Sequence, residues 1–272
     1  EDCFNNVFRK NNVSFNREYG IGVHLIKSDE NEFINNNVSH NNHGFYNEMS
    51  DSNNYTGNTV LSNERYGLNL RSSSGNRIYD NEISSDSGIF ISDCKGTMVV
   101  RNRIYENFEG LSVYKSEDIY MSSNVMSDDY SNILGDCVNL TFVNNTMINE
   151  GIDLIGSPYI DKLRNWNTHI IDTSNTVNGK PIYYWKNREG GEVPPDAGQI
   201  ILANCSGVKV ANQNLTDTYT GITLGYSENN LIVNNTISHN RAGIEVSNSD
   251  KNIFRHNEIT ENQISGFSFQ SN

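Results

Sequence analysis

Proline is almost missing from this chain, with 4 among 272 residues, and tryptophan occurs only 2 times. No stretch reaches the about 18 consecutive apolar residues of a membrane-spanning helix, so none is read here. Cationic side chains are outnumbered, 20 Lys and Arg against 33 Asp and Glu, for a net charge of −13. Such a surface repels phosphates and carries no Lys/Arg stripe to offset the repulsion, which excludes nucleic acid as a partner and serves solubility instead. The 4 cysteines include no C-x-x-C pair, so a metal site built on them is not indicated. The fixed leucines and helical half of a leucine-rich repeat are also missing. No signal peptide is read at Glu1, and Gly266-Phe267-Ser268-Phe269 closes the chain inside a strand-like repeat without a polar cap. The expectation is a mature segment or fragment of a longer exported protein, whose targeting signal and anchor lie outside it.

Asparagine, in contrast, supplies about one residue in six, and it falls in register. A Gly opens a short apolar strand and a Ser or Cys follows about six residues later, at Ser28, Ser50, Ser73, Cys94, Ser116, Cys137, Ser157, Cys205, Ser227 and Ser249. The spacings are 22, 23, 21, 22, 21, 20, 48, 22 and 22. A second register places an Asn two residues before an apolar position, at Asn11, Asn36, Asn58, Asn81, Asn102, Asn145, Asn235 and Asn257. The unit reads N-x-[FIV]-x-x-N-x-[IVM], a variable loop, then G-[ILF]-x-[ILVF]-x-x-[SC]. Apolar and polar residues alternate briefly before a turn residue interrupts, which is strand periodicity. Roughly 22 residues at about 3.3 Å each close one turn of three short sheets. The prediction is an all-β parallel β-helix, a solenoid of about 11 to 12 coils stacked about 4.8 Å apart, forming a single domain over 1–272.

Stacking explains the registers. An Asn at the same turn of every coil can bond its amide to the Asn above and below while its backbone takes the tight or left-handed geometry of the corner. Gly is expected to supply strained dihedrals at the other corner, and Ser or Cys to fill a narrow interior slot. Cys94 and Cys137 share that slot two coils apart, about 9 to 10 Å between Cα atoms, beyond disulfide reach. They read as small buried thiols.

The interval of 48 residues breaks the repeat. It predicts an extra coil, an excursion or both, as an aromatic-rich irregular insertion at about 158–197, holding Trp166, Trp185, Tyr159, Tyr183 and Tyr184 with Pro194-Pro195. Gly179 to Trp185 and Gly198 to Leu202 are expected to rejoin the stack. Trp166, Tyr183, Tyr184 and Trp185 are the candidate saccharide-binding platform, against the alternative of a small core covering one flank. The candidate calcium ligands are Asp86, Glu106, Glu109, Asp128 and Asp129, in the loops before the Gly strand of three successive coils. A solvated acidic edge is the competing reading. Beyond calcium, one further metal reading rests on histidines. His24, His40 and His43 form a candidate copper or zinc set.

The outward position after each Gly reads His24, Tyr46, Asn69, Phe90, Ser112, Ile133, Asp153, Thr223, Glu245 and Ser268, where the carboxylates Asp153 and Glu245 stand isolated. Eight N-x-[ST] sequons, at Asn12, Asn37, Asn54, Asn139, Asn144, Asn204, Asn214 and Asn234, fit a glycosylated extracellular protein. An Asn-rich repeat also generates sequons by chance.

The repeat, with the narrower run from Asn165-Trp166-Asn167-Thr168 through Gly179-Lys180-Pro181-Ile182-Tyr183-Tyr184-Trp185 to Gly198-Gln199-Ile200-Ile201-Leu202-Ala203-Asn204-Cys205, resembles the NosD and carbohydrate-binding/sugar-hydrolase superfamily. The run is similar to archaeal cell-surface members. The resemblance implies right-handed coils and an exported, cell-surface module. It spans lyases, hydrolases, epimerases, metal-delivery accessories and non-catalytic modules, so fold alone does not choose among them. The Gly-His-Gly and Asp-Asp constellation of polygalacturonases and the Asp-Pro-His-Glu run of alginate epimerases are absent. The expected function is a non-catalytic structural or adhesive module of an archaeal cell envelope. Alternatives are a carbohydrate-binding module, a polysaccharide lyase- or hydrolase-like enzyme, or a copper-delivery accessory. Expected partners are envelope polysaccharide, other surface proteins, or further copies joined through open coil ends.

Overall fold

A computed structural model describes residues 3–16, 20–156 and 163–270, and shows a parallel β-solenoid of about 12 turns. Each regular coil supplies two three-residue strands and a longer third strand. Coil two, for example, runs through Glu32–Ile34, Asn37–Ser39 and His43–Glu48. Equivalent strands pair in parallel from coil to coil, so each turn position becomes a sheet. Alternation sends every second side chain inward. Phe33, Tyr55, Ile78, Val99, Met121, Phe142 and Ile171 form one interior column, and Val38, Val60, Ile83, Ile104, Met126, Met147 and Val177 a second; all are buried.

The Asn register is a continuous ladder that also takes in Asn124 and Asn175. At each rung the backbone and side-chain nitrogens donate to the next Asn, as Asn58 does to Asn81 Oδ1 at 2.8 and 3.0 Å. The amide donates again to a carbonyl across the coil, from Asn58 to Phe33 O at 2.8 Å. Two parallel ladders accompany it, one through Asn6, Asn31, Asn53 and Asn76, the other through Asn16, Asn41 and Asn63. Buried amides are thereby satisfied by repetition. The Ser/Cys register holds as well: Cys94 N–H donates to Ser116 Oγ at 3.1 Å, and the buried Cys94, Cys137 and Cys205 form no disulfide among the described residues. Burial pushes the Cys94 and Cys137 thiols up to about 11 and about 12.

Two details differ from expectation. Left-handed backbone falls not on the ladder Asn but one residue before it, at Asn35, Gly57, Asp80, Arg101, Ser123 and Asn144. Nor does the Gly that opens the third strand adopt it. That Gly exists for close approach: a Cβ on Gly44 would collide with the Gly67 carbonyl, and one on Gly243 would lie 2.5 Å from Gly266 O.

The break in the repeat holds an extra coil. After the helix Arg164–Asn167, strands Ile170–Ile171 and Thr176–Val177 continue the first two sheets as an eighth coil. Asn178 and Gly179 then take φ of 51° and 76°, the two positive values of a tight hairpin. Lys180–Lys186 therefore returns antiparallel to Thr176–Val177, and Gln199–Ala203 pairs parallel to it, rejoining the stack. Thr220–Gly225, Ala242–Ser247 and Ser265–Gln270 follow in the same sheet, with strand direction reversed relative to the first seven coils.

This reversal turns the core over. Ile182, Tyr184, Ile201 and Ala203 belong to the core of the N-terminal stack. Their neighbours Ile200 and Leu202 lie in a second core, against which Tyr183 and Trp185 pack. These two strands are covered on both faces, one by each stack.

Candidate functional site

The third sheet of the N-terminal stack ends at Ile152–Ile155, and no strand pairs with its far edge among the described residues. Ile152 and Leu154 point inward and are buried, which turns Asp153 outward. The C-terminal stack presents Thr223 and Glu245 by the same alternation from Thr220–Gly225 and Ala242–Ser247. Because of the reversal, these outward faces meet around one cleft of about 300 Å³. Its lining includes Asp153, Trp166, Tyr219, Thr223, Arg241 and Glu245.

Asp153 is buried, with the Tyr219 hydroxyl beside it. Burial and the nearby Glu245 charge push its carboxyl up to about 7, opposed by Tyr219 and Arg241. Burial raises Glu245 too, against Arg241. The Arg241 guanidinium lies between two rings, 4.1 Å from the centroid of Tyr130 and 4.8 Å from that of Tyr219. It forms no ion pair among the described residues, so a cation held on aromatic faces looks into the cleft beside two carboxyls.

A row of rings leads toward this cleft along the outer face of the third sheet. His24 meets Tyr46 at 5.3 Å, His43 meets Tyr46 and Tyr66 at 5.3 and 5.4 Å, Tyr66 meets Phe90 at 5.1 Å and Phe90 meets Tyr114 at 5.8 Å. Arg71 lies over Phe90 at 4.9 Å. Tyr46, Tyr66, Phe90 and Tyr114 are all half-exposed. The Tyr114 ring lies over Gly135, where a Cβ would come within 2.7 Å of Cδ1, and it is close enough to Asp153 to feel its charge.

The four aromatics proposed as a platform do not share a face. Trp166 is buried at 3% exposure and Tyr184 at 9%, with the Tyr184 hydroxyl donating to Trp166 O at 2.5 Å. Tyr183 donates to Asp196 at 2.8 Å and Trp185 carries Arg188 3.5 Å from its ring centroid, on the side of the second core. Of the four, Trp166 lines the cleft. Tyr159 and Ser157 lie outside the described residues.

The five acidic candidates are also divided. Asp86, Glu106 and Asp128 are exposed, Asp128 accepting from Asn149 at 3.0 Å, and Glu109 accepts from Ser112 at 2.7 Å. Asp129 turns inward and continues the third Asn ladder, accepting from Asn107 Nδ2 at 2.7 Å while its own N–H donates to Glu150 at 3.1 Å. His40 stacks on Phe15 at 4.8 Å, away from the partners of His24 and His43. Among the described residues no three His, Cys, Asp or Glu side chains gather as metal ligands.

Asp153 and Glu245 carry the same repeat register in the sequence, but about four regular coils would separate them in an unbroken solenoid. The strand reversal that unites them is signalled only by the Asn178-Gly179 pair. Tyr219 and Arg241 likewise share a register one residue before a strand, which marks them as neighbours on successive coils.

The fold defines a solenoid of right-handed parallel coils with a cleft where two stacks meet. Residues 22–177 match the family described as the right handed beta helix region, and the chain belongs to that family. Residues 163–272 match the periplasmic copper-binding protein NosD, so the two matches overlap across the eighth coil. Two structures of PfbA, a surface protein and adhesin of Streptococcus pneumoniae, are each 8% identical. They align with TM-scores of 0.46 and 0.49, covering 97% of this chain and 90% and 82% of theirs. The Agl-KA catalytic domain is 13% identical with a TM-score of 0.39, over 98% of this chain and 53% of that one. No curated protein sequence matches the chain.

Proposed function

We propose that this chain is an adhesive module of an exported cell-envelope protein, holding a saccharide chain along its outer aromatic row and in the junction cleft. The observation that carries the reading is the continuity of half-exposed rings from Tyr46 to Tyr114 toward a cleft with Tyr219, Arg241 and two carboxyls. Such rings offer flat apolar faces with polar tips, and the cleft adds donors and acceptors that orient hydroxyls. Export is supported by the match of the C-terminal stack to a periplasmic protein. The eight sequon asparagines all lie outside the buried ladders, on exposed or half-exposed positions, which also suits an extracellular surface.

The test is retention of the purified protein on an array of envelope and extracellular polysaccharides, with and without Ca²⁺. The wild type is expected to be retained on a defined subset, and Tyr66→Ala with Tyr114→Ala to lose at least about tenfold in affinity, about 1.4 kcal/mol. Uniform absence of retention contradicts the reading.

A further inference from the structure

The cleft contains a pair of carboxyls in two different settings. Asp153 is 7% exposed and lies beside Tyr219 in the cleft wall. Glu245, on the facing stack, is half-buried and close enough to raise Asp153 by its charge. Burial raises both, and Asp153, pushed up to about 7, is the one that carries a proton for part of the time near neutral pH. The Arg241 guanidinium is fixed between Tyr130 and Tyr219, where it favours the ionised partner without pairing to it within ion-pair distance.

We propose that Asp153 and Glu245 are the acid and base of a glycosidic-bond hydrolase in this cleft, an inference that rests on the saccharide reading above. The Asp153 carboxyl gives its proton to the glycosidic oxygen as the bond from that oxygen to the anomeric carbon breaks, the bonding pair leaving with the oxygen. Water, the co-reactant, adds its oxygen to the anomeric carbon, and the Glu245 carboxylate takes the water's proton. The products are two shorter saccharides, and a proton passing from Glu245 to Asp153 restores the starting state. Tyr219 is a positioning residue that holds the acid, and Arg241 stabilises the base.

End-labelled cello-, xylo- and galacturono-oligosaccharides are incubated with the wild type, Asp153→Asn and Glu245→Gln, and both retention and chain length are followed. The wild type is expected to shorten a saccharide that it retains. In each variant cleavage should fall about 10²- to 10⁴-fold, well beyond any loss of retention. Retention by the wild type without shortening overturns the hydrolase and leaves the binding reading intact. Retention of none of these saccharides and of nothing on the polysaccharide array overturns both. Cleavage that persists in both variants removes the two carboxyls from the reaction. Should Asp153→Asn fail to fold, the half-buried Glu245→Gln decides the matter.

Discussion

Gln199 gives Ile152 both hydrogen bonds that a neighbouring strand would have given. Its Oε1 accepts from Ile152 N at 3.0 Å, and its Nε2 donates to Ile152 O at 2.7 Å and to Thr220 O at 3.0 Å. One amide therefore satisfies the edge of the N-terminal stack and ties it to the C-terminal one. Gln199→Ala should leave the Ile152 N–H and C=O unpaired, at about 1–3 kcal/mol each, and also take a donor from Thr220 O. Urea unfolding is expected to show a loss of several kcal/mol; a loss below about 1 kcal/mol would mean that another group, or water, satisfies the edge.

The Gly column makes a sharper claim about packing. Gly44→Ala drives a methyl into the Gly67 carbonyl and toward Val60 Cγ1, 2.8 Å away. Gly96, at φ 66° with nothing within 4 Å, is held only by conformation, and its replacement by Ala should cost about 1 kcal/mol. Gly44→Ala should cost more, about 2–3 kcal/mol. Equal melting temperatures for the two variants would contradict the close-approach account.

Asp129 and Glu150 stand in the ladder that carries Asn41, Asn63, Ser85 and Asn107 in the preceding coils, and both are buried. Burial pushes Asp129 up to about 6, and burial together with the Asp129 charge raises Glu150 well above its usual value. Their folded-state values exceed those of the unfolded chain, about 3.9 and 4.3. The folded protein thus binds more protons than the unfolded chain, and stability falls as pH rises from about 4 through 6 and beyond. Asp129→Asn restores an amide donor to the ladder and should shrink the loss of stability between pH 5 and pH 8. A wild type equally stable at both values would show that the pair stays ionised.

Arg241→Ala should act mainly on ligand retention. Its two ring contacts lie at a partly exposed position, so their loss should cost the fold only about 1 kcal/mol. Retention on the polysaccharide array should drop at least about tenfold, about 1.4 kcal/mol. Unchanged retention with an unchanged melting temperature would take Arg241 out of the site.

The coil was legible because its rule is local: the positions of Val38, Val60 and Ile83, with Asn36, Asn58 and Asn81 beside them, recur at a spacing that only stacked turns explain. The role of Gly44 was harder to read, since permissive dihedrals and close approach select the same residue. The site was less legible for a topological reason. Asp153 and Glu245 looked isolated because a solenoid places contacts between successive coils, whereas the hairpin at Asn178-Gly179 reverses the strands and brings distant coils face to face. Tryptophan suggested an exposed platform, yet Trp166 is the wedge of that junction, its ring against Gly225 and its Nε1 at 2.7 Å from where a Gly156 Cβ would stand.

A crystal structure of the protein bound to a saccharide that it retains tests the central claim most directly. The account predicts sugar rings stacked on Tyr66, Phe90 or Tyr114, with the chain entering the cleft beside Asp153, Arg241 and Glu245. A saccharide bound instead at Trp185 and Arg188, with the aromatic row and the cleft empty, would contradict it.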